Sequence, residues 1–318
     1  QARADFAFVA SIPGRKIILK GNHDYWWSTA AKFYKFCAEN GWDDMFILNN
    51  NCYEYGGFAL CGTRGWFYEE DKQGTHDEKV FRRELIRLEA SLKAAGEMPK
   101  LCFLHYPPRY RGYTCPEILE LLKGMNIPVV LIDRDVSSVA GRSAYDLVGI
   151  DNFEAGYRLG ELMVSAGARH VAFLHFSESA PTIRRRIYGL AQAVLGAGLS
   201  WSRRNVIELK LGDAHGLAAI MQGRNPPDAI VCANDRTATF VMQTLAAIGL
   251  KVPKDVRVSG FDDQVYAHRS RIPLTTVRQP CEELGRVALR TLVERILHHD
   301  LPPREILLAS QVVRRKSA

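Results

Sequence analysis

The sequence predicts an α/β protein: a doubly wound, parallel-sheet unit in the longer C-terminal part, preceded by a shorter, partial α/β segment. Three observations carry that prediction. From about residue 127 onward, short aliphatic runs alternate with helical stretches, the βαβ rhythm of a parallel sheet. The chain has 318 residues, 47% hydrophobic and 24% charged, a globular composition long enough for two ordinary domains. The pattern also changes character at Pro107-Pro108, where two prolines are expected to stop regular structure. The expected domains are therefore residues 1–112 and 113–318.

In the first segment, Lys16-Ile-Ile-Leu-Lys20 reads as a buried strand. Phe46-Ile-Leu48, Cys52-Tyr-Glu-Tyr55 and Phe58-Ala-Leu-Cys61 read as strands, the last two joined by a Gly56-Gly57 hairpin turn. Residues 78–95 place Val80, Phe81, Leu85, Leu88 and Leu92 at helical spacing, and Leu101-Cys-Phe-Leu104 is the next strand. A helix over 116–123 follows the expected junction. In the second segment, strands are expected at 127–132, 147–150, 171–174, 229–232 and 256–259, with helices over 153–166, 187–197, 236–248 and 282–297. Asp151-Asn152 caps the first of these helices, and Gly167, Gly198 and Gly249 end three of them.

The net charge of +7 is about +1 before Arg111 and about +6 after it, so the surplus is thin. Its two tight clusters are Arg184-Arg185-Arg186 and Arg314-Arg315-Lys316, and the second reads as solvated surface. The seven cysteines show no C-x-x-C and no regular spacing, which points to a reducing cytoplasm and to small buried hydrophobes rather than disulfides or zinc. No apolar run approaches the ~20 residues of a membrane helix. The chain opens on Gln1 with no signal-peptide pattern and reads as a fragment or internal segment.

Short polar side chains cluster where strands of the second segment end: Arg186 at the start of a helix, Asn234-Asp235 after Ile230-Val-Cys232, and Asp262-Asp263 after Val256-Arg-Val-Ser-Gly260. Ligands of an open α/β sheet bind outside the carboxyl ends of strands. A carboxylate, an amide and a guanidinium fork together suit a polyhydroxylated ligand. Each Asn or Asp has helix capping as its plainer alternative; that alternative is preferred for Asp235, and ligand contact for Asn234 and Asp262. Six stretches in series bear on this choice: Ile127-Pro-Val-Val-Leu-Ile-Asp-Arg134, Val148-Gly-Ile-Asp-Asn152, Arg186-Ile-Tyr-Gly189, Pro227-Asp-Ala-Ile-Val-Cys-Ala-Asn-Asp235, Val256-Arg-Val-Ser-Gly-Phe-Asp-Asp263 and Pro273-Leu-Thr-Thr-Val-Arg-Gln-Pro280. In that order the second segment resembles the effector domain of LacI/GalR transcription regulators. The resemblance implies a sugar cleft lined by Arg186, Asn234 and Asp262, a chain that crosses between two lobes, and a homodimer as a common assembly. It departs from the family in two respects: no helix-turn-helix is present, and the pattern begins only near Pro116, without the first strands of the N-terminal lobe.

The first segment carries Gly21-Asn-His-Asp24 after a strand, Leu60-Cys-Gly-Thr-Arg-Gly-Trp66, and Leu104-His-Tyr-Pro-Pro108. Asn and His at strand ends suit a borderline transition metal. These stretches resemble calcineurin-like metallophosphoesterases, which implies Asn22 and His105 as metal ligands and His23 as the catalytic acid. A divalent metal pair (Mn, Fe or Zn) is implied for an intact enzyme. Asp-x-His, Gly-Asp-x-x-Asp and Gly-His-x-His are all missing in context, so no such pair is expected to bind here. Asp213-Ala-His215 matches one pattern by chance, and His76, His298 and His299 read as solvated.

The expected architecture is thus a doubly wound parallel-sheet sensor unit preceded by a partial metallophosphoesterase-like segment. The expected function is cytoplasmic sensing of a sugar or polyol, with no cofactor, no DNA-binding motif in these residues and no membrane partner. The alternatives are a metal-dependent phosphoesterase, or a truncated hybrid with neither activity.

Overall fold

The computed structural model describes residues 2–21, 29–66, 75–106, 108–110, 113–125, 127–133, 145–176 and 181–318. The chain separates into two compact units, Gln1–Pro128 with Arg295–His299, and Val129–Glu294 with Asp300–Ala318. Residues 113–128 therefore cluster with the first unit.

The first unit runs α1 (Ala2–Ser11), β1 (Lys16–Leu19), α2 (Ala30–Glu39), β2 (Met45–Leu48), β3 (Tyr53–Tyr55), β4 (Phe58–Thr63), α3 (Thr75–Ala94), β5 (Lys100–Leu104), β6 (Arg109–Tyr110), β7 (Tyr113–Thr114) and α4 (Pro116–Gly124). Thr29 caps α2, its Oγ1 accepting the Lys32 N–H at 3.3 Å. The buried face of α2, Phe33 and Cys37, packs on Met45 and Ile47 of β2, which pairs in parallel with β1. β3 and β4 form the expected hairpin over Gly56-Gly57, both left-handed, and β4 pairs in parallel with β5. No regular element covers the described residues between β5 and Arg109, and β6 and β7 form a short antiparallel ladder just beyond Pro108.

The second unit runs β8 (Val130–Ile132), β9 (Asp146–Ile150), α5 (Asn152–Ser165), β10 (Val171–Phe176), α6 (Pro181–Gly196), β11 (Val206–Leu209), α7 (Ala214–Met221), β12 (Ala229–Cys232), α8 (Asp235–Ala247), β13 (Arg257–Phe261), α9 (Val265–Arg269), β14 (Thr275–Arg278), α10 (Cys281–Leu297), β15 (Glu305–Leu308) and β16 (Gln311–Val313). Its strands form a six-stranded sheet of order β11-β10-β12-β13-β14-β16 and a three-stranded sheet of order β15-β9-β8. All pairings are parallel except β14 with β16. The chain passes from the smaller sheet to the larger after β9, returns after β14, and crosses again between β15 and β16. Successive side chains of a strand point to opposite faces. Val171 and Phe173 of β10 accordingly enter one core with Val148, Leu159 and Phe261. Ala172 and Leu174 enter the other core with Ile230, Val241 and Val258.

α6 starts at Pro181 rather than near 187, which places Arg186 in its second turn. The stretch Pro273–Pro280, expected only as a crossover, contributes β14, whose Thr275, Thr276 and Val277 are fully buried.

Candidate functional site

The carboxyl ends of β12 and β13 open on a cavity of about 410 Å³ within the second unit. Arg186, Asn234 and Asp262 all line it, together with Asp133 just after β8 and Gln264 and Gln279. Its apolar lining includes Ile132, Ile183 and Leu284. Both sheets of the unit contribute, the smaller one through Ile132 and Asp133. The volume lies within the usual range for a small-molecule site.

Arg186 is 5% exposed. Its Nε donates to Asn152 Oδ1 at 2.7 Å and its Nη1 to the Ala233 carbonyl at 2.8 Å, and its guanidinium lies 4.2 Å over the Phe261 ring. These contacts fix the fork in the cavity wall before any ligand arrives. Close crossing of α5 and α6 sets its position: a Cβ on Gly156 would collide with the Arg186 carbonyl, and one on Gly189 with the Phe153 carbonyl.

Asn234 caps α8, its Oδ1 accepting the Thr237 N–H and hydroxyl, each at 2.9 Å. Capping and cavity lining are thus compatible, since the Nδ2 donor side of the amide makes no hydrogen bond among the described residues. Asp235 is not the cap that the sequence suggested. It is fully buried as the first residue of α8, accepting the Thr276 hydroxyl at 2.6 Å and the Gln264 N–H at 2.8 Å. Burial pushes its carboxyl up to about 6, and the neighbouring Asp262 and Asp263 add to the rise.

Asp262 has φ 102°; its N–H donates to the Val277 carbonyl at 2.9 Å, and its Oδ1 accepts Gln279 Nε2 at 2.9 Å. Its Oδ2 has no protein partner among the described residues. Burial opposes ionisation of Asp263, yet hydrogen bonds from Arg278 and Arg315 and their charges hold its carboxyl below the usual range. Arg315 is therefore not the solvated surface residue expected from its cluster. Taken together, the cavity offers carboxylate acceptors, amides of both senses, the Thr182 hydroxyl and a fixed guanidinium, donors and acceptors side by side. Sequence reasoning missed Asp133 and Gln279, although both lie in stretches already singled out. The strand-end rule that found Asp262 would have found Asp133, which follows β8.

His105 follows β5, with its ring 5.0 Å from that of Tyr106. Asn22 and His23 lie outside the described residues. Among the described residues, no three His, Cys, Asp or Glu side chains are placed to share a metal ion. His298 and His299 are exposed, and Asp213 caps α7 through the Gly216 N–H at 2.8 Å. The cysteines are free; Cys37, Cys61, Cys115 and Cys232 are buried as expected, but Cys281 is exposed at the cavity edge. No helix among the described residues is long and apolar enough to cross a membrane.

A parallel α/β unit with a polar cleft at its strand ends has the form of a small-molecule-binding domain. Residues 161–318 match the family described as the periplasmic binding protein-like domain. The C-terminal part is thus similar to such a domain. The HTH-type transcriptional regulator CelR of Thermobifida fusca is 29% identical over 201 residues, covering 62% of this chain and 58% of that protein. DegA of Bacillus subtilis is 31% identical, covering 54% and 51%. The chain thus spans little more than half the length of these relatives. The transcriptional repressor PurR of Mannheimia succiniciproducens is 29% identical over 281 residues, covering 86% of this chain and 75% of that protein. Among solved structures, a complex of the regulator CelR with cellobiose aligns with 99% of this chain and 89% of its own, at TM-score 0.63 and 20% identity. A LacI family regulator from Enterococcus faecium with bound ribose covers 69% of this chain at TM-score 0.57. At these identities the structures establish the fold. The comparisons give no support to the metallophosphoesterase resemblance or to a hybrid chain, and both the PurR and the CelR alignments extend well into the first segment.

Proposed function

We propose that this chain is the ligand-sensing effector part of a LacI-family transcription regulator and that its ligand is an uncharged sugar or polyol held by Arg186, Asn234 and Asp262. The observation that carries the reading is the state of these three groups in one cavity. Asp262 and Asn234 each have one side fixed by protein, Oδ1 in both cases, and a second polar atom left without a protein partner, while Arg186 is locked flat in the wall. Preorganised groups of this kind bind hydroxyls without the cost of ordering side chains. The relatives support the ligand class, since two of the similar regulators are described with cellobiose and with ribose bound. The reading needs no cofactor. It puts the protein in the cytoplasm, with a second copy of itself as its partner.

A ligand that binds the folded state raises its melting temperature. A panel of neutral mono- and disaccharides, headed by D-ribose and cellobiose, is screened by thermal shift and then by calorimetry, beside sugar phosphates and a planar nucleobase. At least one neutral sugar is expected to stabilise the protein. Binding of phosphorylated or apolar compounds alone would overturn the assignment of ligand class.

A further inference from the structure

Asp262 reaches the cavity from a backbone conformation that other residues impose. Asp262 and Asp263 are consecutive non-glycine residues with positive φ, 102° and 51°. L side chains enter that region only where the surroundings hold them there. The flanks are pinned: Asp262 N–H donates to Val277 O at 2.9 Å, and Gln264 N–H donates to Asp235 at 2.8 Å. Between them, Asp263 is not a cavity residue, and its carboxylate is 4% exposed. One oxygen accepts Arg278 Nε at 2.6 Å; the other accepts Arg315 Nη2 at 2.6 Å and lies 3.0 Å from His268 Nε2. Arg315 is braced in turn, its Nη1 donating to Leu274 O at 2.7 Å and its backbone N–H to Thr275 Oγ1 at 2.9 Å. It lies two residues beyond β16, in the closing segment of the chain. Two residues later, Ser317 is fully buried and donates to Val258 O of β13, the strand that leads into the same loop.

We propose that Asp263 is a positioning residue for the ligand cleft. Clamped by Arg315 and Arg278, it locks the left-handed pair so that Asp262 presents its carboxylate to the cavity. The C-terminal segment thereby becomes part of ligand recognition although it does not line the cavity. This inference rests on the reading of Asp262 as a ligand contact. Charge-assisted hydrogen bonds from planar forks, that of Arg315 largely buried, hold a carboxylate in one orientation, which a lysine reaching the same place does not.

The test compares the whole chain with its Arg315→Ala, Arg315→Lys and Asp263→Asn variants by amide hydrogen exchange, and by calorimetry with D-ribose and cellobiose. The Asp262 and Gln264 amides are expected to exchange at least tenfold faster in Arg315→Ala, with the Val231 and Ser259 amides changed less than twofold. Affinity for whichever of the two sugars the parent binds should fall about tenfold or more, and Arg315→Lys should recover only part of both losses. If Arg315→Ala does not fold, Asp263→Asn, which keeps the shape and loses the charge, gives the same readout. Unchanged exchange at Asp262 and Gln264, a uniform rise across the sheet, or a local rise with unaltered sugar affinity would each overturn the proposal. If the parent binds neither sugar, the affinity comparison uses the neutral sugar of the wider panel that most raises its melting temperature, and the exchange pattern by itself decides whether the clamp acts on Asp262.

Discussion

Replacing Asp235 by Asn should invert the usual expectation for a buried carboxylate and make the second unit more stable at neutral pH. The Asp235 carboxyl, fully buried against Thr276 and Gln264, is pushed from 3.8 up to about 6, first by burial and then by the neighbouring Asp262 and Asp263. Below pH 3.8 the group is protonated whether the chain is folded or not, so it adds nothing to the pH dependence. Between 3.8 and about 6 the unfolded chain has released its proton and the folded one has not, so folding takes up a proton and stability falls as pH rises. Above 6 the loss is constant, at about 3 kcal/mol for a difference of roughly two pH units. Asparagine carries no such loss. Its Oδ1 can still accept the Gln264 N–H, and its Nδ2 can donate to the Thr276 hydroxyl, which limits the hydrogen-bond cost to about 1 kcal/mol. Exchange of the Val231 and Ser259 amides, corrected for intrinsic rate, reads the opening free energy of the six-stranded sheet. The Asn variant minus the parent should rise by about 2–3 kcal/mol between pH 4 and pH 7.5. A difference that is flat over that range, or that falls, would refute the burial account of Asp235.

Gly156→Ala should cost about 1–3 kcal/mol by overpacking the α5–α6 crossing, and, because the collision is with the Arg186 carbonyl, should also weaken sugar binding; a chemical melt paired with calorimetry checks both. Added manganese should give no phosphodiesterase turnover, and a turnover abolished by Asn22→Ala or His105→Ala would show that the first segment does hold a working metal site.

The sequence was most legible where burial and strand-end chemistry coincide. β10, β12 and β13 are apolar runs, and Asn234 and Asp262, which follow β12 and β13 and line the cavity, were recognisable as short polar groups just past strand ends. β11, β14 and β16 were not read. Thr275 and Thr276 look polar in sequence, but their hydroxyls are satisfied by Arg315 and Asp235 far along the chain, a pairing that local pattern does not contain. The same blindness to distant partners misassigned Asp235 as a cap and Arg315 as surface. α1, α2 and α7 escaped notice because Phe6, Phe33 and Leu217 find their packing partners only in the folded unit. In the first segment, three short stretches carried the metallophosphoesterase resemblance, which the comparisons do not support, and they came without the carboxylate-bearing stretches that a metal pair needs.

The central claim is that the cleft binds its ligand through Asp262, and calorimetric titration of the Asp262→Ala protein beside the parent tests it most directly. The titrant is the neutral sugar that most raises the parent's melting temperature, and Asp262→Asn, which tolerates the turn better than Ala, controls for loss of fold. Removing a charge-assisted partner costs about 1.5–3 kcal/mol, so the Ala variant should bind roughly ten- to a hundredfold more weakly, with the melting cooperativity of the parent retained. Equal affinity in the folded Ala variant would contradict the account.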